Sequence, residues 1–251
     1  MPAAQCQKSF ILTVAESKRL IARTLRRHPA IIRALNQGIV AVGKGTTNAY
    51  IAEELTGEGI HRPDYCTGVT RPSGAKGAAT ANKLPDLVLR RGERVEGVSA
   101  VEIVAEMGPG DVFIKGANAI NYDRHQAAIL IGHPTGGTIG AAIGTVVARR
   151  ATLLIPVGLE KHVPGDLHEA YRELVGVGGN GQGPMLWPVD GEVFTEIEAV
   201  QSVSGARARL IGAGGIGGAE GSVRISVCGA PDQVERARGC IEDVLGEPAF
   251  L

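Results

Sequence analysis

The chain of 251 residues is 44% hydrophobic but only 4% aromatic, so its core must consist mainly of Ala, Val, Ile and Leu, the residues typical of buried parallel strands. Its 26 basic and 26 acidic side chains cancel, which removes the overall charge expected of a nucleic-acid-binding protein. The four cysteines are widely spaced, so we expect reduced thiols in a cytoplasmic protein. The sequence has neither a basic leader before an apolar run nor an apolar stretch of about 18 residues, so we expect the protein neither to enter a membrane nor to be secreted.

The first part of the chain is predicted to contain two helices, a buried strand and a third helix. Residues 13–37 have apolar side chains at helical spacing, Thr13 and Glu16 match a capping box, and an internal proline is expected to divide the segment. Residues 38–42 are a predicted strand and residues 47–55 a predicted helix. Basic residues along the first helix are expected to form a solvated face, which would also attract an acidic ligand: Lys18, Arg19, Arg23, Arg26, Arg27 and His28.

The middle of the chain is predicted to alternate strands with helices. Five segments have the composition of strands: residues 65–70, 87–90, 111–115, 127–131 and 151–157. Residues 99–107 and 137–150 are predicted helices, and residues 71–83 are predicted to be an exposed connection or flap. Such alternation is typical of a parallel sheet, so we predict a Rossmann-like α/β ligand-binding domain over residues 1–175.

The pattern changes after residue 175. Residues 176–189 are predicted to be a Gly/Pro-rich linker, and residues 190–251 a small α+β domain with strands at 193–203 and 222–228 and a helix at 231–245. Residues 212–217 match the glycine spacing of a dinucleotide-binding loop, but a strand rather than a helix is predicted to follow them. A hairpin or loop is therefore the favoured interpretation.

Three loops after predicted strands, residues 43–48, 115–121 and 133–138, are expected to meet at one edge of the sheet, where open α/β sheets bind ligands. In the first loop, glycines allow close approach of the backbone, and the following helix N-terminus favours an anion. An ordinary strand-to-helix turn is the alternative, because the Walker spacing is missing. The predicted ligand- or phosphate-binding residues are Gly43, Lys44, Gly45, Thr46, Thr47, Asn48, Gly116, Gly136, Gly137 and Thr138.

Two of these segments resemble a known group of proteins. Residues 38–55, "GIVAVGKGTTNAYIAEEL", resemble the first strand, loop and helix of ribose-5-phosphate isomerases, and residues 111–121, "DVFIKGANAIN", fall where those enzymes have a strand and an acidic loop. The second segment, with residues 136–156, is also similar to methylthioribose-phosphate isomerase and its regulatory initiation-factor branch. The group also includes glucosamine-phosphate deaminases, sugar-responsive repressors and CoA transferases. The resemblance covers roughly residues 15–160 and implies a Rossmann-like fold that binds sugar phosphates.

The departures from this group bear on the reaction. In this alignment, Lys115 takes the place of the first acidic residue of the isomerase loop, and Asn118 takes the place of the second. Ala119 takes the place of the glutamate. An amide cannot act as the base of an aldose–ketose isomerisation, so the resemblance does not carry a specific reaction. Other residues that lie near in sequence and could supply a base are Asp111, Asp123, His125 and His133.

The candidate catalytic residues are Lys115, Asn118 and Asp111. Lys115 either neutralises a phosphate or carboxylate or, if burial lowers its pKa, acts as an electrophile or Schiff-base former. Asn118 is expected to orient a hydroxyl or carbonyl group. No cofactor and no metal are expected, because His162 and His168 are separated by a proline and a glycine.

The leading hypothesis is a homo-oligomer that binds a small phosphorylated or carboxylated metabolite in the three-loop cleft, without nucleic-acid or membrane partners, and that is an isomerase-like enzyme of unassigned reaction. A non-catalytic sensor or assembly subunit of the same group is the alternative. A CoA-transferase-like enzyme is a second alternative, with Glu102, Glu106 or Glu160 as the nucleophile.

Overall fold

A computed structural model describes residues 5–68, 70–75 and 82–251. The strands in these residues are β1 (Cys6–Leu12), β2 (Ile39–Val42), β3 (Leu87–Arg90), β4 (Glu93–Arg94), β5 (Val112–Ile114), β6 (Ala119–Asn121), β7 (Gln126–Ile131), β8 (Thr152–Pro156), β9 (Met185–Val189), β10 (Glu192–Phe194), β11 (Arg207–Ala213) and β12 (Val223–Gly229). The helices are α1 (Val14–Leu25), α2 (Pro29–Gln37), α3 (Thr46–Thr56), α4 (Ala100–Ile103), α5 (Gly137–Ala148), α6 (Leu167–Val177), α7 (Glu196–Ser204) and α8 (Pro231–Glu242).

A six-stranded mixed sheet with the order β10-β8-β5-β2-β3-β4 is the centre of the structure. Strands β2, β5, β8 and β10 are parallel, whereas β3 is antiparallel to β2 and β4 is antiparallel to β3. The prediction of an α/β protein with parallel strands is therefore confirmed. Because the four parallel strands point the same way, the loops that follow them lie along one edge of the sheet.

Two hydrophobic cores cover the two faces of this sheet, and β2 shows how its side chains divide between them. Val40 and Val42 belong to the core formed with α1, α3 and α7, whereas Ile39 and Ala41 belong to the core formed with α4 and α5. All four side chains are buried, as expected for a central strand whose successive side chains point to opposite faces.

The first two helices begin at the signals identified in the sequence. The Thr13 hydroxyl accepts a hydrogen bond from the Glu16 N–H (3.3 Å), and the Glu16 carboxylate accepts one from the Thr13 N–H (2.8 Å), which completes the capping box of α1. Pro29 lies in the first turn of α2, where its lack of an N–H removes no helical hydrogen bond. The predicted division into two helices is confirmed.

Two predicted strands have other conformations. The described residues of the segment 65–70 are not a strand; Arg62–Tyr65 form a short 3-10 helix. The buried Tyr65 hydroxyl donates to the Val42 carbonyl (2.7 Å) and accepts from the Leu87 N–H (2.9 Å). Most of residues 193–203 form α7 instead of a strand, because Thr195 and Glu198 make a capping box. The helix predicted at residues 99–107 is limited to α4, residues 100–103.

Two further sheets connect parts of the chain that the predicted domain boundaries separate. Strand β1 pairs with β12, in the order β1-β12-β11, and β9 pairs with β7, in the order β6-β7-β9. The predicted linker therefore contains a strand, β9, and β10 from the predicted second domain belongs to the central sheet. The strand predicted at 127–131 is β7 and lies outside the central sheet. The glycine-rich residues 212–217 enter the turn of the β11–β12 hairpin.

Part of the predicted flap, residues 76–81, lies outside the described residues. In the part of the chain that the structure does describe, no helix is both long enough and apolar enough to cross a bilayer.

Arg19 makes the most extensive ion-pair network in α1. Its guanidinium lies 2.6 Å from the Glu53 carboxylate, 2.9 Å from that of Glu54 and 2.9 Å from that of Glu247. The guanidinium also lies over the Tyr50 ring, 4.8 Å from the centroid, as in a cation–π contact. These contacts join α1 to α3 and to the C-terminal tail, so the prediction of a solvated basic face is wrong for Arg19.

Replacing Arg19 by Met is expected to lower the free energy of unfolding by roughly 3 kcal/mol, because partly buried carboxylates would lose their partner. Urea denaturation measures this change. The exposed Arg26, the C-cap residue of α1, provides the control, and Arg26→Met should change the free energy of unfolding by less than about 0.5 kcal/mol. Equal effects of the two substitutions would contradict the importance of the network.

The same variant has an expected pH dependence. Burial disfavours the Glu247 carboxylate, but the hydrogen bond and charge of Arg19 and the charge of Arg62 outweigh burial and hold the pKa of Glu247 below its ordinary value of 4.5. This stabilisation is complete above pH 4.5 and is lost as the pH falls through the lower folded-state pKa. The difference in Tm between wild type and Arg19→Met should therefore narrow from about pH 6 to about pH 3.

Candidate functional site

The carboxyl ends of the parallel strands bring the predicted loops together. A Cβ atom on Gly43 would lie 3.3 Å from Cδ of Lys115 and 3.5 Å from Cγ2 of Thr138, so the loops after β2 and β5 and the start of α5 are in contact. The loop of residues 157–161 follows β8, and α7 follows β10, at the same edge. We call the depression between these segments the cleft.

The first cavity of the cleft has a volume of about 250 Å³ and lies at the start of α3. Its described lining contains four lysines and no carboxylate side chain. The lining residues are Lys18, Lys44, Gly45, Thr46, Thr47, Asn48, Thr67, Gly68, Thr70, Lys115, Gly116, Ala117, Asn118 and Lys161. Such a lining is strongly electropositive and suits an anion.

The amino terminus of α3 opens into this cavity without a side-chain cap. Gly45 is the N-cap residue, and its own N–H donates to the Tyr65 carbonyl at 3.1 Å. The N–H groups of Thr46, Thr47 and Asn48 have no acceptor among residues 5–68, 70–75 and 82–251. Free N–H groups and the positive end of the helix dipole together favour an anion at this position.

Lys18 enters the cavity from α1 and is the clearest departure from the sequence prediction. Only 7% of the residue is exposed, so it does not belong to a solvated face. Its ammonium lies 5.4 Å from the Phe250 ring centroid and has no hydrogen-bond acceptor in the described parts of the chain. Burial, and then the charge of Lys161, lower the pKa of Lys18 to about 8, although Glu160 and Cys66 oppose the change.

The other three lysines differ in their partners. The Lys44 ammonium donates to the Asn82 side-chain oxygen at 2.8 Å, and the Lys161 ammonium lies 3.4 Å from the Glu160 carboxylate. Lys115 has no such acceptor among the described residues. Burial, and then the charge of Lys161, lower its pKa, with the charge of Asp86 acting in the opposite direction.

Two carboxyl groups lie close together after β8 and at the start of α7. Both oxygens of the fully buried Glu196 accept from the Leu159 N–H, at 3.3 and 2.9 Å. Burial, and then the charge of Glu160, raise the pKa of Glu196 to about 7. A Cβ atom at Gly158 would overlap the present position of the Glu160 carboxylate. Glu196 can therefore hold a proton beside Glu160, whose carboxylate contacts Lys161, one of the lysines that line the first cavity.

The second cavity, of about 490 Å³, continues from the first. The two cavities share Thr67, Gly68, Lys115 and Asn118. The remaining lining combines apolar side chains with the start of α5: Ile129, Leu130, Ile131, Gly132, His133, Gly136, Gly137, Thr138 and Ile139. The cleft therefore has a cationic part and a more apolar part, which meet at Lys115 and Asn118.

The glycines at the start of α5 have a packing role. Gly136 has φ +82°, and a Cβ there would lie 2.9 Å from the Gly140 Cα and 3.1 Å from the Trp187 ring. Close packing of α5 against Trp187 of β9 therefore requires glycine at 136, whether or not an anion binds at the N-terminus of α5. His133 is exposed, and its Nδ1 accepts from the Thr135 N–H at 3.2 Å, which makes it a turn residue at the rim.

Asp111 is not part of the cleft, which corrects its selection as a catalytic candidate. It precedes β5 and therefore lies at the opposite edge of the sheet from Lys115. Its two oxygens accept from the N–H groups of Ile39 and Gly108, each at 2.7 Å. These bonds fix the start of two strands, so the role of Asp111 is structural.

The two asparagines of the cleft also hold its backbone. The buried Asn48 amide nitrogen donates to the Gly43 carbonyl at 2.6 Å. The Oδ1 atom of Asn48 has no partner among the described residues. The Asn118 side-chain oxygen accepts from the Leu130 N–H at 3.0 Å, and its amide nitrogen, which has no acceptor among the described residues, can donate to a ligand. Of the predicted residues, Gly43 to Asn48, Lys115, Gly116, Asn118 and Gly136 to Thr138 thus lie in or beside the cleft.

Sequence reasoning missed Lys161 and Glu196 as site residues and assigned Lys18 to the surface. Lys161 follows β8 and Glu196 follows β10, so each has the position that identified Lys115 after β5. The signal for Glu196 was hidden because residues 193–203 were predicted to be a strand. The described residues contain no group of three or more His, Cys, Asp or Glu side chains suited to a metal.

Comparison with known proteins provides no relative for this chain: no family model, curated protein or solved structure matches it. The geometry and electrostatics of the cleft are therefore the features that bear on function.

The carboxyl pair predicts how stability changes with pH. Because the folded state raises the pKa of Glu196 from 4.5 to about 7, the unfolded state loses its proton first, and wild type should lose stability between these pH values. In Glu196→Gln the amide retains an acceptor for the Leu159 N–H and cannot ionise. The Tm of this variant should therefore rise relative to wild type from about pH 4.5 to about pH 7. Glu96→Gln, at an exposed position, is the control and should follow wild type; a parallel course for Glu196→Gln would contradict the assignment.

Proposed function

We propose that the protein binds a small phosphorylated or carboxylated metabolite, with the anionic group at the amino terminus of α3. The observation that carries this proposal is the convergence of four lysines on a cavity whose described lining has no carboxylate. Thr46 and Thr47 add hydroxyl groups and free N–H groups at the same end of the helix. Like charges close together cost free energy, and a bound anion would offset that cost.

Lys18 supports the proposal most directly. Desolvation penalises an ammonium that lacks an acceptor, yet Lys18 is buried, lines the cavity and has no acceptor among the described residues. A merely structural position would be filled at lower cost by an apolar side chain, which could also pack against Phe250. A ligand anion supplies the missing acceptor, because charge-assisted hydrogen bonds are among the stronger interactions inside proteins.

The size of the cleft and the resemblance to the ribose-phosphate isomerase group define the ligands to screen. The first cavity accommodates a phosphate or carboxylate with a short carbon chain, and the second can hold a larger body. Kinship with that group, including a Rossmann-like assignment for the sheet, is part of our proposal and makes sugar phosphates the first class to test. Small carboxylates and CoA esters are the next.

A non-catalytic sensor or assembly subunit is the second candidate function. It is favoured by the lack of any Asp or Glu side chain in the described lining of both cavities, because an isomerisation by proton transfer needs a base within reach of the substrate. A homo-oligomer remains our proposal for the assembled state. Turnover of a ligand that binds the cleft would exclude the sensor function.

Lys18→Met is expected to weaken anion binding without destabilising the protein. Loss of one charge-assisted hydrogen bond should raise the Kd for inorganic phosphate or a sugar phosphate by roughly tenfold to a hundredfold, while the free protein becomes no less stable, since the buried charge is gone. Titration calorimetry and thermal unfolding measure the two quantities. Lys8→Met, on the exposed β1, is the control and should bind as wild type does. An unchanged Kd in Lys18→Met would contradict the placement of the anion.

Proton uptake on binding is a separate prediction. Because the pKa of Lys18 is about 8 in the free protein, part of the population is neutral at that pH, and a bound anion favours the ammonium form. Sulfate, which stays fully ionised across this range, is the suitable probe. Calorimetry in buffers of different ionisation enthalpy should show uptake near pH 8 that declines towards about pH 6 and is smaller in Lys18→Met. Proton release near pH 8 would contradict this prediction.

A further inference from the structure

Lys115 is the lysine that lines both cavities. It follows β5 directly, and its N–H donates to the Leu154 carbonyl at 3.1 Å, so its backbone is fixed by the central sheet. Its side-chain stem passes Gly43, where a Cβ would lie 3.3 Å from the Lys115 Cδ. The stem is therefore confined to a narrow passage, and its amine is held at the junction of the cationic and apolar parts of the cleft.

The four lysines have distinct surroundings, and these suggest different functions. Lys44 and Lys161 already have an acceptor, Asn82 and Glu160 respectively. Lys18 lines the first cavity, where the anion is proposed to lie, and does not line the second. Lys115 has no acceptor among the described residues and lies where the carbon skeleton of a ligand would pass from the first cavity into the second.

The environment of Lys115 also favours a reactive amine. Burial and the nearby positive charge of Lys161 lower the pKa of Lys115, and these are the two conditions that activate lysine as a nucleophile towards carbonyl compounds. The free amide nitrogen of Asn118, which lines the same two cavities, can donate to a carbonyl oxygen at this position.

We propose that Lys115 forms an imine with an aldehyde or ketone group of the ligand whose anionic group lies at the amino terminus of α3. The neutral amine nitrogen attacks the carbonyl carbon, and the electron pair of the carbonyl bond moves to oxygen. The resulting carbinolamine loses water: the carbon–oxygen bond breaks, the two amine protons leave with the oxygen, and a carbon–nitrogen double bond forms. The step needs no oxidant, reductant or further reactant.

This inference rests on the proposed anion site and narrows its ligand to carbonyl-containing phosphates or carboxylates. The apolar lining of the second cavity, with Ile129, Ile131 and Ile139, suits the carbon skeleton beyond the carbonyl group. Three other lysines already supply positive charge to the anion, so simple charge neutralisation does not require a fourth lysine at the junction.

Reductive trapping of the full-length protein tests the proposal. Glyceraldehyde 3-phosphate is the probe, sodium cyanoborohydride reduces any imine, and peptide mass mapping locates the adduct. We expect labelling of Lys115 to exceed that of the exposed Lys8 near neutral pH, because the anion site holds the probe beside Lys115 and a lowered pKa leaves more of its amine neutral. Inorganic phosphate should slow the labelling of Lys115, and glyceraldehyde without phosphate should show much less preference for it.

Two variants and one binding measurement separate the outcomes. Lys115→Arg keeps the charge and should lose the adduct, whereas Lys8→Arg should label as wild type does; circular dichroism verifies that both are folded. If phosphate still raises the Tm but the adduct forms on Lys18, forms equally on exposed lysines or does not form, the imine proposal is wrong and the anion site stands. If phosphate neither raises the Tm nor protects any lysine, the anion site itself is wrong.

Discussion

The ion-pair network of Arg19 is the interaction on which the candidate site depends. It joins α1 to α3 and to the C-terminal tail through Glu53, Glu54 and Glu247. The site uses the same three segments: Lys18 precedes Arg19 on α1, the free N–H groups belong to α3, and Phe250 of the tail lies beneath the Lys18 ammonium. Fixing α1 against α3 therefore places a buried lysine opposite a helix N-terminus, a geometry that neither helix could impose alone.

The central sheet explains why so many charged groups share one small volume. Four consecutive parallel strands deliver their following loops to one edge, and each loop contributes ionisable or anion-binding groups: the α3 N-terminus, Lys115, the Glu160–Lys161 pair and Glu196. The carboxyl pair after β8 and β10, Glu160 and Glu196, partly offsets the positive charge of the lysines. Because Glu196 is buried next to Glu160, its carboxyl can stay protonated near neutrality, which leaves an excess of positive charge facing the cleft.

Local patterns were enough to predict most elements, whereas the site depends on contacts that span the sequence. Short-range chemistry determines the capping box at Thr13, the strand at residues 39–42 and the loop before α3. These elements could therefore be predicted from the local sequence. The burial of Lys18 arises from its packing against the C-terminal tail, more than 200 residues away, so no local window contains the signal. For α7, a capping box at Thr195 overrode the β-branched composition that suggested a strand.

The proposed kinship with the ribose-phosphate isomerase group does not carry a reaction with it, and the loop after β5 gives the reason. At the loop after β5, where the ribose-5-phosphate isomerases carry acidic residues, this chain has Lys115 and Asn118, and the described lining of both cavities has no carboxylate. A carboxylate can act as a base towards a substrate carbon, whereas an amine beside Lys161 can act as a nucleophile or supply a positive charge. In our proposal, anion binding depends on a helix terminus and the chemistry at the next loop depends on single side chains, so the second can differ without loss of the first.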